Sequence, residues 1–416
     1  MKLLLKSVTI LDESSAYHQK KQDIFIENGA IRKIGKDLKE KADKEIEAPN
    51  LHVSRGWFDS SVSFGEPGFE DRETIANGLD TAGKSGFTSV ALNPYTNPVL
   101  DHSGSIAAVK ARANTHPVSL FPIGSLTMKS EGVDLAELLD MQQAGAVSFG
   151  DYKLPQKNPN LLKIALQYAQ NFDALIQSFP QENRIAGNGM VNEHENSTLL
   201  GLKGIPNLAE ELQVTRDLYL LEYTGGKLHI PTISTEKSVK LIKEAKKKGL
   251  DVSCSVAIHN LLLTDEELAS FDANTKVLPP LRTKKDSKAL IKGLKEGTID
   301  MVTSDHNPID VEHKKVEFDN ALYGSIGLES AFAALSTVFE TEEVVEILTR
   351  GKDRFKIEEY EIKEGSPADL SLFIPGEKFT FSEKDILSSS KNSIFLGKQL
   401  QGKAFGVITQ KGHISQ

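Results

Sequence analysis

The sequence predicts an α/β protein built on a (β/α)8 barrel, with a small β-sandwich contributed by both ends of the chain. Three observations carry this. Eight short apolar, strand-like runs alternate with amphipathic helical stretches through the middle of the 416 residues, which favours a closed parallel barrel over an open sheet. Both ends instead show period-two alternation and turn residues, the mark of hairpins. The composition, 39% hydrophobic and 26% charged, is that of an ordinary globular chain, long enough for one large barrel and an appendage.

In order, KLLLKSVTIL opens the chain as a strand, and DIFIENGAIRKIG folds back on itself at Asn28-Gly29, a dipeptide suited to a two-residue hairpin turn. The strand-like runs follow near 56–64, 86–93, 118–125, 145–151, 173–179, 227–234, 251–260 and 298–305. Gly86, Gly145, Gly226, Gly249 and Gly297 stand just before strands, as helix C-caps should. In TEKSVKLIKEAKKKG, Thr235 is the expected N-cap and Val239, Ile242 and Ala245 share the buried face; the lysines of 237–248 form a solvated face. Thr264 with Glu267 has capping-box spacing. ADLSLFIP, KFTF and GKAFGVITQKGHI close the chain as strands. The expected division is 1–54 and 356–416 in the small β domain, with 55–355 as the barrel.

A net charge of −9 and the lack of a basic tract argue against sequence-independent nucleic-acid binding. The single cysteine, Cys254, excludes an intramolecular disulfide and fits a reducing, cytoplasmic setting. No apolar run approaches the ~20 residues of a membrane span, and MKLLLKSVTILDE reads as a strand rather than a signal peptide.

Chemistry in such barrels sits at the C-terminal ends of the strands. Those ends carry Ser61 and Ser63, Asn93, Asp151, Gln177 or Ser178, Thr232, His259 with Asn260, and Asp305 with His306. Around them lie FGEPGFEDRETIANG, NPYTNPVLD, GLKGIPNLAEE, KLHIPTIST, KVLPPLRT, GTIDMVTSDHNP and GLES. In order and spacing these segments resemble dihydroorotase, of the cyclic-amidohydrolase branch of the amidohydrolase superfamily. Phe149-Gly150-Asp151 is similar to the aspartate-bearing motif of type I dihydroorotases and unlike a hydantoinase lysine.

The resemblance implies a pair of zinc ions held by a His-x-His on strand 1, an acidic group on strand 4, single histidines on strands 5 and 6, and an aspartate on strand 8 that is also the general base. The corresponding positions here are Ser61 and Ser63, Asp151, Gln177 (or Ser178), Thr232 and Asp305. Only the two carboxylates remain. Zinc needs imidazole, thiolate or carboxylate donors, so the familiar binuclear centre should not assemble, and no zinc or other cofactor is expected. Asp305 would then be a vestigial general base. The family's substrate-binding positions fall on Gly65, Tyr95, Leu278 and Ile309. A glycine cannot replace an arginine clamp for a carboxylate, and Tyr95 and Leu278 should fill the space where dihydroorotate would lie.

Other residues have plainer readings. His229, three residues before Thr232, should face the opposite side of its strand; His306 should point away from Asp305; His259 is read first as structural, and the remaining histidines as solvated. Cys254 is a small core residue. Asp59 shares parity with Ser61 and Ser63, so Asp59, Asp151 and Asp305 would crowd one interior. They would be hydrogen-bonded by serines and water, paired with a lysine or arginine, protonated, or bound to a hard cation. The long segment HNPIDVEHKKVEFDNALYG is a lid or a partner-binding loop. Two readings follow. One is a non-catalytic dihydroorotase homologue of pyrimidine biosynthesis with a structural or regulatory role; the resemblance implies aspartate carbamoyltransferase as a partner, and a homo-oligomer. The other is an active dihydroorotase or related cyclic-amide hydrolase with a rebuilt site, in which Asp305 is the base and Asp151 binds a metal.

Overall fold

The computed structural model describes residues 1–415. Eight strands, Trp57–Val62, Phe87–Leu92, Ser119–Gly124, Ser148–Phe149, Leu175–Gln177, Lys227–Ile230, Val252–Ala257 and Met301–Thr303, pair in sequential order. Every pairing recorded between neighbours is parallel. A parallel bridge from Val62 to His306 brings the last strand back to the first and all but closes the barrel. The strands coincide with the eight apolar runs, because helices on the outside and side chains on the inside bury both faces of each one.

The floor of the barrel is apolar. Phe58, Ile123, Leu175, Met301 and Phe355 pack together, and the Phe355 ring meets Phe58 edge-on at 5.3 Å. Arg354 closes this end, bonding Ser253 Oγ at 2.8 Å and the carbonyls of Leu228 and Asp251 at 3.0 and 3.1 Å. The plugged floor leaves the opposite end, where the strands finish, for polar chemistry.

The ends of the chain meet in one sheet. Strands Lys2–Leu11, Lys21–Glu27, Ala30–Gly35, Lys44–Ile46 and His52–Arg55 join Asp369–Thr380, Gln399–Thr409 and Gly412–Ser415. His52–Arg55 is the seam, parallel to the first strand and antiparallel to Asp369–Thr380. Glu27 pairs with Ala30 across Asn28-Gly29, and both turn residues have positive φ, 50° and 72°, as a type I′ turn requires. The sheet is bound to the barrel through Trp57, whose backbone N–H donates to Ser371 Oγ at 2.9 Å and whose indole packs on Phe373 of strand Asp369–Thr380 at 5.4 Å.

Thr235 caps helix Glu236–Lys247 as expected, accepting from the Ser238 N–H, and Val239, Ile242 and Ala245 are buried. Thr264 differs from expectation. It caps a 3-10 helix, Asp265–Ser270, accepting from the Glu266 N–H, while Glu267 reaches away to pair with Lys398 at 2.5 Å. That ion pair between distant segments takes the side chain a capping box would have used. Among the described residues, no helix is long and apolar enough to cross a membrane.

Candidate functional site

The strand ends converge on a polar layer above the apolar floor. Asn93, at the end of the second strand, donates through Nδ2 to Ser61 Oγ at 3.0 Å and Ser63 Oγ at 3.2 Å. The two serines thus face one interior, as their parity predicts, and are bound to an amide. Asp151 follows the fourth strand. Its carboxylate accepts from Ser125 Oγ (2.6 Å), the Leu126 and Thr127 N–H groups (2.9 and 3.0 Å), Thr127 Oγ1 (2.6 Å) and Gln156 Nε2 (2.5 Å). Five donors occupy the lone pairs of two oxygens.

The ambiguity on the fifth strand resolves cleanly. Gln177 lines the central cavity and donates to Ser148 Oγ at 2.8 Å. Ser178 turns outward to Asp217 at 2.6 Å. Thr232 lines the same cavity with φ 48°, its N–H bonded to Ser255 Oγ at 3.1 Å.

Asp305 also has positive φ, 50°, and is buried. Lys153 Nζ lies 2.8 Å from its Oδ2. Lys153 is itself nearly buried and also sits over the Tyr152 ring at 5.1 Å. Burial pushes the Asp305 carboxyl above the usual carboxylate range, while the Lys153 charge and hydrogen bond pull it back. Burial, then the Asp305 charge, raises the Tyr152 phenol. The cavity between Ser61, Asn93, Tyr152, Lys153, Gln177, Thr232 and Asp305 measures about 10 Å³, room for about one water. A groove of about 610 Å³ lies at the other end of the barrel by Val252, Asp300, Arg350 and Arg354, away from the strand ends.

Several expectations need correction. His229 does not face away from the barrel interior. Leu228 and Ile230 pack into the outer core, whereas His229 points inward, touching Phe355 at 5.9 Å. The left-handed backbone at Thr232 breaks the strand's alternation, so parity counted across it fails. The imidazole lies between Ser253 Oγ (2.9 Å) and Ser255 Oγ (3.3 Å), and burial pushes it down to about 3. Nor do Asp59, Asp151 and Asp305 share a pocket. Asp59 is bonded to Thr303 Oγ1 at 2.6 Å and the Ser304 N–H at 2.9 Å; burial raises it to about 6 against these bonds. Each carboxylate has its own donors, which removes the repulsion expected of a shared site.

Tyr95 and Leu278 do not line the residual cavity but pack against residues that do. Tyr95 is half-exposed at the rim, stacked on Phe69 (6.3 Å) and tilted against Tyr152 (5.6 Å). Leu278 packs with Phe179, Ile205 and Ala209. Ile309 is buried elsewhere, its N–H held by Asn392 Oδ1 at 3.0 Å. A Cβ on Gly65 would lie 1.8 Å from the Phe69 carbonyl oxygen, so the backbone there leaves no room for any side chain.

His306 points away from Asp305 as expected, its Nδ1 accepting from the Gly327 N–H at 3.2 Å. His259 is buried and pushed down to about 3 by burial, then by the Lys153 charge. The segment after the eighth strand is clamped over this end. Lys314 Nζ donates to the carbonyls of Lys276, Leu322 and Gly324 at 3.3, 3.0 and 2.8 Å, and Lys276 Nζ to those of Phe318 and Asp319 at 2.8 and 2.9 Å. The sequence reading overlooked Lys153, the one cation lining the cavity among the described residues. Its position two residues beyond Asp151, where a loop leaves a strand end, was the available signal.

The donor set does not fit the pair of zinc ions that the resemblance implies. Hydroxyls and an amide occupy four of the six positions, one carboxylate is saturated with hydrogen bonds, and the other is paired with a lysine. Among the described residues, no three His, Cys, Asp or Glu side chains are grouped as a metal site requires.

The family model described as "Dihydro-orotase-like" matches residues 52–238. A dihydroorotase of Pelotomaculum thermopropionicum is 38% identical over 415 residues, covering 98% of this chain and 97% of its own. One of Thermoanaerobacter sp. is 36% identical over 409 residues, covering 97% and 94%. Among solved structures, the L-hydantoinase (dihydropyrimidinase) of Arthrobacter aurescens superposes with a TM-score of 0.85 at 20% identity, over all of this chain and 96% of its own. Dihydropyrimidinase of Brevibacillus agri gives 0.83 at 21%, covering 100% and 95%. At that identity the structural likeness speaks for the fold.

Proposed function

We propose, for a chain that belongs to the dihydroorotase family, a structural or regulatory role in pyrimidine biosynthesis without interconversion of carbamoyl-aspartate and dihydroorotate. The Lys153–Asp305 ion pair carries this reading. A general base must be free to take a proton within hydrogen-bond reach of the reacting atoms. Here the carboxylate at the family's base position is held by an ammonium 2.8 Å away. The cavity before it, about 10 Å³, is far below the ~300 Å³ at which small-molecule pockets begin. The saturated Asp151 and the blocked backbone at Gly65 support the same reading, since one leaves no lone pair for a metal and the other no place for a clamp. Assembly with an aspartate carbamoyltransferase is the setting the resemblance supports.

The test is to measure zinc bound to the purified chain and to assay both directions of the reaction with added Zn²⁺. A purified aspartate carbamoyltransferase is then mixed with the chain and followed by size exclusion. The expected result is sub-stoichiometric zinc, no turnover and a co-eluting complex. Stoichiometric zinc, with turnover abolished by Asp305→Asn, would overturn the reading.

A second reading, an active dihydroorotase with a rebuilt site, is favoured by one observation: the relatives that match nearly the whole chain at 36–38% identity are dihydroorotases. It requires Lys153 to leave Asp305, and Gln156 and Thr127 to release Asp151. Lys153→Ala separates the readings. Under the second, it frees the base and raises turnover or leaves it unchanged; under the first, there is no turnover to change.

A further inference from the structure

The segment that crosses the barrel mouth after the eighth strand is anchored at both ends. Asp310 accepts from Arg72 Nε at 3.1 Å, and the Gly324 carbonyl accepts from Asn392 Nδ2 at 3.2 Å. Between the anchors little else is buried: from 311 to 320 only Lys314 and Phe318 are. Phe318 enters a small apolar cluster with Val191 and Leu268. Lys314, 5% exposed, commits its three N–H donors to the carbonyls of Lys276, Leu322 and Gly324. Lys276, 4% exposed, reaches the segment from below, bonding the Phe318 and Asp319 carbonyls and lying over the Phe318 and Tyr323 rings at 5.5 and 5.3 Å. Among the described residues, every hydrogen bond of these two side chains goes to a backbone carbonyl and none to a carboxylate. A buried amine without a bonded carboxylate is costly to keep charged.

We infer that residues 311–323 form a strap that opens with uptake of protons, the buried amines of Lys314 and Lys276 being both its latch and its sensor. Closed, the strap withdraws both amines from water. Burial pushes Lys314 down to about 7, with the Lys276 charge lowering it further, Asp272 opposing and Lys153 adding to the fall. Burial lowers Lys276 as well, against the pull of Asp319. Open, both amines return to water and to the ordinary lysine value of about 10.4. Between the two values the open strap holds protons that the closed strap lacks. Opening is therefore favoured as pH falls towards 7, by up to about tenfold per pH unit for each proton taken up. The dependence ends where the closed strap is protonated too. A neutral Lys314 still has two N–H donors, so the closed strap stays bonded when the proton has gone. His313, the strap's other basic group of this kind, is exposed and pairs with Asp310 at 2.6 Å. Protonating it tightens an anchor and so acts with the opposite sign. Because the Lys153 charge acts on Lys314, the strap borders the Lys153–Asp305 pair, and opening admits water there. The inference is independent of whether the barrel turns over substrate.

The test is amide hydrogen exchange of the full chain, read by mass spectrometry from about pH 7 to about pH 9, with the intrinsic exchange rates divided out. Protection of peptides within 311–323 should rise at least about fivefold per pH unit relative to the core strand Val252–Ala257. Lys314→Met keeps the bulk and removes the proton, and should at least about halve the logarithmic slope. Adding Lys276→Met should abolish it, whereas His313→Gln should leave it in place. Circular dichroism confirms that each variant is folded, and the wild-type series decides by itself where one is not. Strap protection that is flat or falls as pH rises overturns the inference. So does a slope that survives both lysine substitutions, or one that disappears with His313→Gln.

Discussion

Replacing Lys153 by methionine removes the one cation beside Asp305 and keeps the bulk of the side chain. Lys153 has 11% of its side chain exposed and Asp305 2%, so the pair is largely desolvated and its energy is little screened. Breaking such a pair from one side costs about 3–5 kcal/mol, because the remaining charge is buried alone. Asp305 takes the larger share of this cost. Among the described residues its Oδ1 already has no hydrogen-bond partner, and losing Lys153 would strip Oδ2 as well. Asp305→Asn should be milder, about 1–2 kcal/mol, because a freed Lys153 can turn its ammonium toward water. The double variant removes both charges and should cost about 1 kcal/mol, leaving a coupling of at least about 2 kcal/mol. The sign of the pH dependence follows from Asp305. Its folded pKa is raised by burial and rises further without Lys153. The folded variant therefore holds a proton that the unfolded chain has released, and stability falls as pH rises toward that raised value. The deficit of Lys153→Met should shrink between pH 7 and pH 5. Urea unfolding measures all four forms, followed by fluorescence of Trp57, the single tryptophan, and by far-UV circular dichroism. A Lys153→Met cost below about 0.5 kcal/mol, with coupling equally small, would show that Asp305 stands free, and the non-catalytic reading would lose its main support.

Three further outcomes follow. His229 is pushed down to about 3 by burial and the charges of Arg354 and Lys246, so below pH 6.5 the unfolded chain binds a proton that the folded one refuses. The stability this contributes is complete above pH 6.5 and is lost as pH falls toward 3, at about 1.4 kcal/mol per pH unit; His229→Gln, which can still bond both serines, should flatten acid unfolding by one proton. Gly65→Ala and Gly65→Arg should each destabilise by at least about 3 kcal/mol in urea unfolding, because the new Cβ meets the Phe69 carbonyl; a stable Gly65→Arg that gains dihydroorotate binding by calorimetry would refute the geometry. Ser61→His with Ser63→His should acquire no stoichiometric zinc by elemental analysis, because Gln177, Thr232 and the saturated Asp151 supply no further ligands.

The barrel was legible because its signals are local and redundant. Each strand is an apolar run buried on both faces, and each is separated from the next by a helix whose period differs from its own. The hairpin at Asn28-Gly29 and the cap at Thr235 were readable for the same reason: the residues that specify them lie within a few positions of one another. The candidate site was readable only in part. Parity along the first strand placed Ser61 and Ser63 together correctly, since the chain there is regular. It failed between His229 and Thr232, where a residue at φ 48° interrupts the alternation that parity assumes. Gln177 and Ser178 could not be told apart because the fifth strand ends there, and a one-residue shift exchanges cavity for helix.

What the sequence could not convey is which donors satisfy which acceptors. Asp151 and Asp305 look alike as isolated carboxylates at strand ends, yet their environments are opposite. One is wrapped by hydroxyls and amides from its neighbouring loops and needs no counter-charge. The other has a single lysine reaching in from the loop beyond Asp151, so the fourth strand's loop supplies the cation that neutralises the eighth strand's carboxylate. Without a bound cation, two buried carboxylates at these strand ends would lack counter-charge, and the apolar floor beneath them offers no solvation. The internal hydrogen bonds of Asp151 and the Lys153 ammonium are the two ways a chain can meet that cost without a metal. Both occur here, so under the proposed non-catalytic role Ser61→His with Ser63→His should not build a metal centre while Lys153 stays on Asp305.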